Sequence, residues 1–307
     1  MEKIEIGSSG ISCSRLVYGC MRLIGEGSTE ALKNGKKSIH SAIDAGFNHF
    51  DHADIYGKGS CETLFGEVLR ESPQLRDQII LTSKCGVIFP NDPTPGDPGR
   101  YRLDAQHIES SIDGILTRLQ TDHLDFYLLH RPDYLMQAEE IAKSLEKIVN
   151  QGKTKAIGVS NFSYSQVEML RSHLNIPIQV HQMEVNIHNI SAFHNGTLDQ
   201  CQQHNISPQA WCPLGGIVYP AWGNTFSEDD EVRIQTEVER QCSKYEIEPW
   251  ILILAWVLKH PARIFPIVGS TNADRIKLAP TALNLAKIYS RKDWYALLEA
   301  RNGHKVP

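Results

Sequence analysis

Four side chains carry the chemical reading of this sequence. Asp51 is a carboxylate, Tyr56 a phenol five residues later, Lys84 an ammonium and His130 an imidazole, and each stands at or just beyond the end of a short apolar run. A phenol, an ammonium, a carboxylate and an imidazole brought together are the parts of a proton-transfer site. An isolated tyrosine, with a pKa of about 10, is a poor acid at neutral pH. An ammonium close by favours phenolate and lowers that value by an amount on the order of 1–3 units, so Lys84 is expected to bring Tyr56 down. Asp51 is expected to keep Lys84 charged and oriented, because a buried lysine otherwise tends to neutralise. His130 could donate a hydrogen bond to a reacting oxygen or share the proton relay. Each residue alone has a plain structural reading: Asp51 as a helix cap, Lys84 as a surface charge, His130 as a core histidine. Their convergence at one end of consecutive strands favours the chemical one.

That convergence depends on the elements around them. Short β-rich runs alternate with longer amphipathic ones along nearly the whole chain. Lys3 to Ile6 and Ile11 to Ser14, joined by Gly7-Ser8-Ser9-Gly10, predict a small hairpin. Strands are expected at 15–18, 48–51, 79–83, 124–129, 155–159, 179–184, 208–211 and 264–268. Helices are expected at 29–45, 61–70, 104–119 (opening on an Asp104 cap), 138–150, 165–172, 192–204, 231–245, 249–259 and 291–301. Eight strands, mostly separated by a helix each, imply parallel pairing and a closed (β/α)8 TIM barrel with an N-terminal β-hairpin, forming one domain over residues 1–307. An open doubly wound sheet fits less well, since no Gly-x-Gly-x-x-Gly follows the first strand and no composition shift marks a boundary.

Active sites of such barrels lie at the C-terminal ends of the strands. Those ends are Asp51, Lys84, His130, Ser160-Asn161, Gln182 to Glu184, Trp211-Cys212 and Gly269-Ser270. Two long connections, 89–102 and 214–228, follow strands and are expected to shape a pocket there.

The bulk properties set limits. The chain has 307 residues, 41% hydrophobic and 22% charged, with net charge −5, the profile of a globular protein with a large core. No basic stripe makes an electrostatic case for nucleic acid. The seven cysteines include no Cys-x-x-Cys pair, which predicts free thiols rather than a disulfide framework or zinc site. The longest apolar run, Trp250 to Leu258, is too short to span a bilayer. With no apolar stretch at the N-terminus, a cytoplasmic location is expected.

The motifs around the four residues resemble those of the aldo-keto reductases. Phe50-Asp51-His52-Ala53-Asp54-Ile55-Tyr56-Gly57 is similar to that family's Asp–Tyr signature, and Leu81-Thr82-Ser83-Lys84 to its lysine strand. Asp125-Phe126-Tyr127-Leu128-Leu129-His130-Arg131-Pro132 resembles its histidine strand, and Ile157-Gly158-Val159-Ser160-Asn161-Phe162 its amide-binding turn. The likeness runs in order from the hairpin to Arg275. It implies a nicotinamide-dependent reductase of aldehydes or ketones, acting as a monomer on a small carbonyl substrate, with Tyr56, Asp51, Lys84 and His130 as catalytic residues.

The resemblance also implies a cofactor site. Ser160, Asn161 and Gln182 would hydrogen-bond the nicotinamide carboxamide, and Trp211 would stack on its ring; the plain alternative for Trp211 is barrel core. Gly19-Cys20-Met21 matches the family's turn beside the cofactor, and Cys212-Pro213-Leu214-Gly215 its turn under the pyrophosphate. Gly269-Ser270-Thr271, leading to a helix start, and Arg275 one turn on are expected to take phosphate, which favours NADP(H) with NAD(H) left open. Gly269 stands where many members have lysine, and Leu278-Ala279 replace polar adenine contacts.

Other constellations are weaker. His181, Glu184, His188 and His194 fit no metal-ligand spacing, so no metal is expected. An aldolase using Lys84 as a Schiff-base nucleophile would need a lysine of lowered pKa, and Asp51 beside it would do the opposite. A redox-sensing subunit that binds cofactor with little turnover is the remaining alternative.

Overall fold

We describe the protein from a computed structural model, in which residues 1–215 and 226–307 are described. The chain opens with β1 (Lys3–Glu5) and β2 (Ser12–Ser14), paired antiparallel as the expected hairpin. Eight parallel strands then close into a barrel. The first three are β3 (Val17–Gly19), β4 (His49–Asp51) and β5 (Ile80–Cys85). After β5 comes a two-strand excursion, β6 (Val87–Ile88) and β7 (Arg100–Tyr101). The barrel resumes with β8 (Leu124–Leu129), β9 (Thr154–Ser160), β10 (Ile178–Glu184), β11 (Ser207–Trp211) and β12 (Phe265–Val268), and β12 pairs back onto β3.

The surrounding helices are α1 (Thr29–Asp44), α2 (Ser60–Glu71), α3 (Ala105–Leu119), α4 (Ala138–Asn150), α5 (Tyr164–Arg171), α6 (Thr197–Gln203), α7 (Glu228–Tyr245) and α8 (Pro249–Leu258). After β12 follow α9 (Ala273–Leu278), α10 (Thr281–Ile288) and α11 (Arg291–Asn302). Their starts are written locally. Asp104 caps α3 by accepting from the His107 amide at 2.9 Å, and Ser163 with Gln166 closes a capping box on α5. Pro249 occupies the first turn of α8, where its missing N–H loses nothing.

Two layers of core hold this together. One lies between strands and helices. The other fills the barrel with Val17, Phe126, Leu128, Ala156, Val180, Phe265 and Ile267, and it continues into Ile6 and Cys13. The hairpin is thus packed across the N-terminal end of the barrel. Its turn is tied to the starts of β10 and β11, with Gly7 N–H donating to Ser207 Oγ at 2.8 Å and Ser8 N–H to Gln179 Oε1 at 2.7 Å.

The structure departs from the sequence reading in three places. The helix expected over 192–204 is a 3-10 turn (Ser191–Phe193) followed by α6, because Gly196 at φ +80° breaks the path just before Thr197. The connection 89–102 is an ordered hairpin on β6 and β7 rather than an irregular loop, closed internally by Asn91 N–H to the Asp97 carbonyl at 2.8 Å. Helix α10 was not expected. The other connection, 214–228, lies outside the described residues from 216 to 225, Trp222 among them. Among the described residues, no helix is long and apolar enough to cross a membrane, and no three His, Cys, Asp or Glu side chains gather as a metal site.

Candidate active site

Parallel pairing brings the strand ends together at one mouth. Asp51 ends β4 and Lys84 lies one residue from the end of β5. His130 follows β8, its N–H held by the Cys85 carbonyl at 2.8 Å. Tyr56 reaches them from the turn after β4. Its N–H donates to the Ala53 carbonyl at 3.0 Å, and the chain then reverses through Gly57 at φ +56°. That glycine has a second reason: a Cβ there would stand 2.4 Å from Ile24 Cδ1.

Lys84 is the centre of the arrangement. Its ammonium, fully buried, donates to Asp51 Oδ2 at 2.8 Å, to the His52 carbonyl at 2.7 Å and to the Tyr56 hydroxyl at 3.2 Å. Three acceptors match the three N–H donors of an ammonium. Burial alone would lower the lysine's pKa, yet the charges and hydrogen bonds of Asp51 and Tyr56 outweigh it and the net direction is up. Lys84 is held charged, the opposite of what an imine-forming lysine requires.

The phenol differs from the expectation. Burial pushes the Tyr56 hydroxyl up, Lys84 pulls it down, Asp51 pushes it up again, and the net direction is above the ordinary tyrosine value. The lysine's pull is present, but in the free protein it is smaller than the loss of solvent. His130 packs edge-on to Tyr56 with ring centroids 6.1 Å apart. Burial first, then Lys84 and Arg131, hold its imidazole well below the ordinary histidine range, so it is neutral at physiological pH. Its Nδ1 is buried without a hydrogen-bond partner.

A second network surrounds this one. Gln182 donates from Nε2 to Asp51 Oδ1 at 2.9 Å and to Gln209 Oε1 at 3.1 Å, so it braces the Asp51 carboxylate. Asn161, at φ +61°, links three neighbouring strands. Its N–H bonds the Gln182 carbonyl at 2.8 Å and its Nδ2 donates to the His130 carbonyl at 3.1 Å. Its Oδ1 accepts from Trp211 Nε1 at 2.9 Å. Trp211 is half-buried at the mouth rather than barrel core. The Ser160 hydroxyl accepts from Asn161 Nδ2 at 2.8 Å. Hydroxyl and amide groups of Ser160, Asn161 and Gln182 therefore stand together, a mixed donor and acceptor set that suits a carboxamide.

The remaining sequence candidates fall on the same end of the barrel. Gly19 pairs with Asp51 across β3 and β4, and a Cβ on it would meet Ile267 Cγ2 at 2.9 Å. Met21 is exposed. Cys20 is fully buried with its Sγ toward the Tyr18 carbonyl and its N–H on the Asp51 carbonyl, so its thiol faces inward. Pro213 is buried, Leu214 and Gly215 half-buried and Cys212 exposed. Gly269 is exposed and open, with only the Gly19 carbonyl within 4 Å of a Cβ built there, at 3.7 Å. Such a backbone cradle admits a close ligand. Ser270 and Thr271 are half-buried and Arg275 is exposed. The amides of Asp274 and Arg275 both donate to Asn272 Oδ1 at 3.0 Å. The helix start expected to offer free amides has thus satisfied two of them itself. Of the two apolar residues at the adenine end, Leu278 is exposed and Ala279 fully buried.

Three contributors were missed in the sequence. The His52 carbonyl is a backbone group and leaves no sequence signal. Gln209 did leave one, being two residues before Trp211 and so on the same strand face. Asp54, buried two residues before Tyr56 with its Oδ1 unpartnered, is pushed up to about 7 by burial and by nearby Glu62.

The profile of the Aldo/keto reductase family matches residues 15–297. The chain is 35% identical to a 6-dehydroglucose reductase of Novosphingobium aromaticivorans, over 99% of this chain and 96% of that protein. It is 34% identical to the oxidoreductase YdhF of Escherichia coli, over the full length of both. In fold it is similar to the thermostable aldo-keto reductase Tm1743, solved with the inhibitor epalrestat, at a TM-score of 0.82 and 24% identity, covering 98% of this chain and 100% of that one. With its closed eight-stranded barrel and its sequence matched from Arg15 to Leu297, the chain belongs to the aldo/keto reductase family.

Proposed function

We propose that this oxidoreductase reduces aldehyde or ketone groups to alcohols with NADP(H), Tyr56 giving the proton. The observation that carries the reading is the buried Asp51–Lys84–Tyr56 chain of contacts, at 2.8 and 3.2 Å, beside a neutral His130. The cofactor supplies the hydride when bound. Ser160, Asn161 and Gln182 would hold its carboxamide, Trp211 would face its ring, and Gly269 to Arg275 would take its phosphates. The Arg275 guanidinium gives the preference for a 2′-phosphate.

In this reading Tyr56 stays protonated through the neutral range and releases its proton only when the substrate oxygen becomes basic. Lys84, already charged, stabilises the phenolate left behind, so its contribution grows as the transition state forms. Asp51 keeps that charge in place. Neutral His130 orients the carbonyl oxygen as a hydrogen-bond donor without competing for the proton.

The test is NADPH oxidation against a panel of aldehydes and ketones, including 6-dehydroglucose, which the name of its relative recommends. The Tyr56→Phe protein should lose activity by about 10³-fold while NADPH affinity is kept. A mutant with full activity refutes the proton-donor role. A wild-type protein that turns over no carbonyl yet binds NADPH favours a sensor.

A further inference from the structure

Arg131 follows His130 directly and leaves the C-terminal end of β8 at the mouth of the barrel, half-buried. Its guanidinium carbon lies 5.5 Å from the centre of the Trp211 ring, and the Trp211 indole is itself fixed by Asn161. Three acids that share this end of the barrel are engaged elsewhere. Asp51 serves Lys84 and Gln182. Asp133 accepts from the Leu103 and Leu135 amides at 3.1 and 2.9 Å. Glu184 accepts from Asn186 and Asn189 at 3.1 and 3.0 Å. Among the described residues, Arg131 is a cation without a carboxylate. The segment 216–225 reads Gly-Ile-Val-Tyr-Pro-Ala-Trp-Gly-Asn-Thr and contains no acid.

An aromatic face satisfies the charge of a guanidinium but not its five N–H donors, whose fork geometry matches a planar or tetrahedral oxyanion. With Lys84 paired to Asp51, Arg131 is, among the described residues, a cation beside the reacting centre with an aromatic face but no carboxylate. A cleft with low-dielectric walls makes such a charge attract anions.

We propose that Arg131 is a specificity-determining residue that binds a carboxylate or phosphate oxyanion on the carbonyl substrate. The preferred substrates are then anionic aldehydes or ketones. The inference rests on the reductase reading above.

The experiment compares matched pairs with NADPH as reductant: succinic semialdehyde against its methyl ester, and glyceraldehyde 3-phosphate against glyceraldehyde. Wild-type protein should prefer the charged member of at least one pair by about 10-fold or more in kcat/KM, mainly through KM. Which pair shows it decides between carboxylate and phosphate. Arg131→Gln should bring that ratio to about 1, and Arg131→Lys, which keeps the charge but loses the fork, should fall between. The Lys variant also keeps the test open should the Gln protein fold poorly. The dissociation constant of NADPH, read by fluorescence quenching, should stay within about twofold of wild type.

A wild-type protein that reduces carbonyls with no preference for charge overturns the inference and leaves the reductase reading standing. So does a preference that survives Arg131→Gln. A weakened NADPH affinity with the preference intact assigns Arg131 to the cofactor's own phosphates and likewise overturns it. If wild-type protein reduces no carbonyl at all, the reductase reading falls and takes this inference with it.

Discussion

The end of this mouth around Lys84 and the end around Gly269 to Arg275 are built on different principles. Around Lys84 the Asp51, Tyr56 and Gln182 side chains and the His52 carbonyl form one hydrogen-bonded network, and each belongs to a barrel strand or the turn that leaves it. Around Gly269 to Arg275 the residues are half-buried or exposed, on the turn after β12 and the start of a six-residue helix, where the Asp274 and Arg275 amides are tied to Asn272. The first region is preorganised, so its energy is committed before a ligand arrives. The second is a shallower, more exposed surface. A change in the first should therefore cost stability as well as activity. A change in the second should cost affinity alone.

Asp51→Asn strikes the preorganised region hardest after loss of Tyr56. It leaves the Lys84 charge buried without its partner, which is expected to cost about 3–5 kcal/mol of stability. Activity should fall with it, and urea unfolding beside NADPH oxidation reads both. Stability close to wild type would mean that the Asp51–Lys84 pair is not the strained, committed unit described here.

Acid should reveal the same commitment more gently. His49 and His52 are buried and held down at about 3, and His181 at about 4, in each case chiefly by burial. Their folded values lie below the unfolded value of about 6.5, so the unfolded chain binds more protons between those limits. Stability from these groups is complete above about 6.5 and is lost as pH falls toward 4 and then 3, each histidine removing on the order of 1 kcal/mol per pH unit. Urea midpoints measured across pH 4 to 7 should fall accordingly. Replacing His52 with an apolar residue of similar size should flatten the slope, and an unchanged slope would count against a neutral buried His52.

The smallest effect belongs to the region from Gly269 to Arg275. Arg275→Gln should weaken NADPH by about 10-fold while leaving NADH and the unfolding midpoint unchanged. Loss of affinity for both coenzymes, or a drop in stability, would make the two regions alike and erase the contrast.

What could be read in the sequence follows the same division. Asp51, Lys84 and His130 were readable because parallel strands of known polarity must bring their ends together, whatever the loops do. Gln182 was read as a cofactor contact, and its bond to Asp51 was invisible, since which strand-end amide meets which carboxylate depends on barrel stagger. The acidity of Tyr56 was misjudged because spacing exposes a nearby lysine but not the depth of burial that opposes it. The hairpin of β6 and β7 was hidden by six prolines and glycines between its strands, whose usual message is irregular loop. Between them, Val87 and Tyr101 pair through backbone alone.

Asn161 joins the peptide of His130, the carbonyl of Gln182 and the indole of Trp211 through one side chain and one amide. The consequence is a limit on how the protein can diverge. Trp211 cannot become an aromatic without a ring N–H unless Asn161 gives up its acceptor's partner, and Asn161 cannot change without releasing the loop that carries His130. On the proposed reading, coenzyme grip and carbonyl orientation are inherited together. A lineage seeking to retune one of them would have to revise both at once.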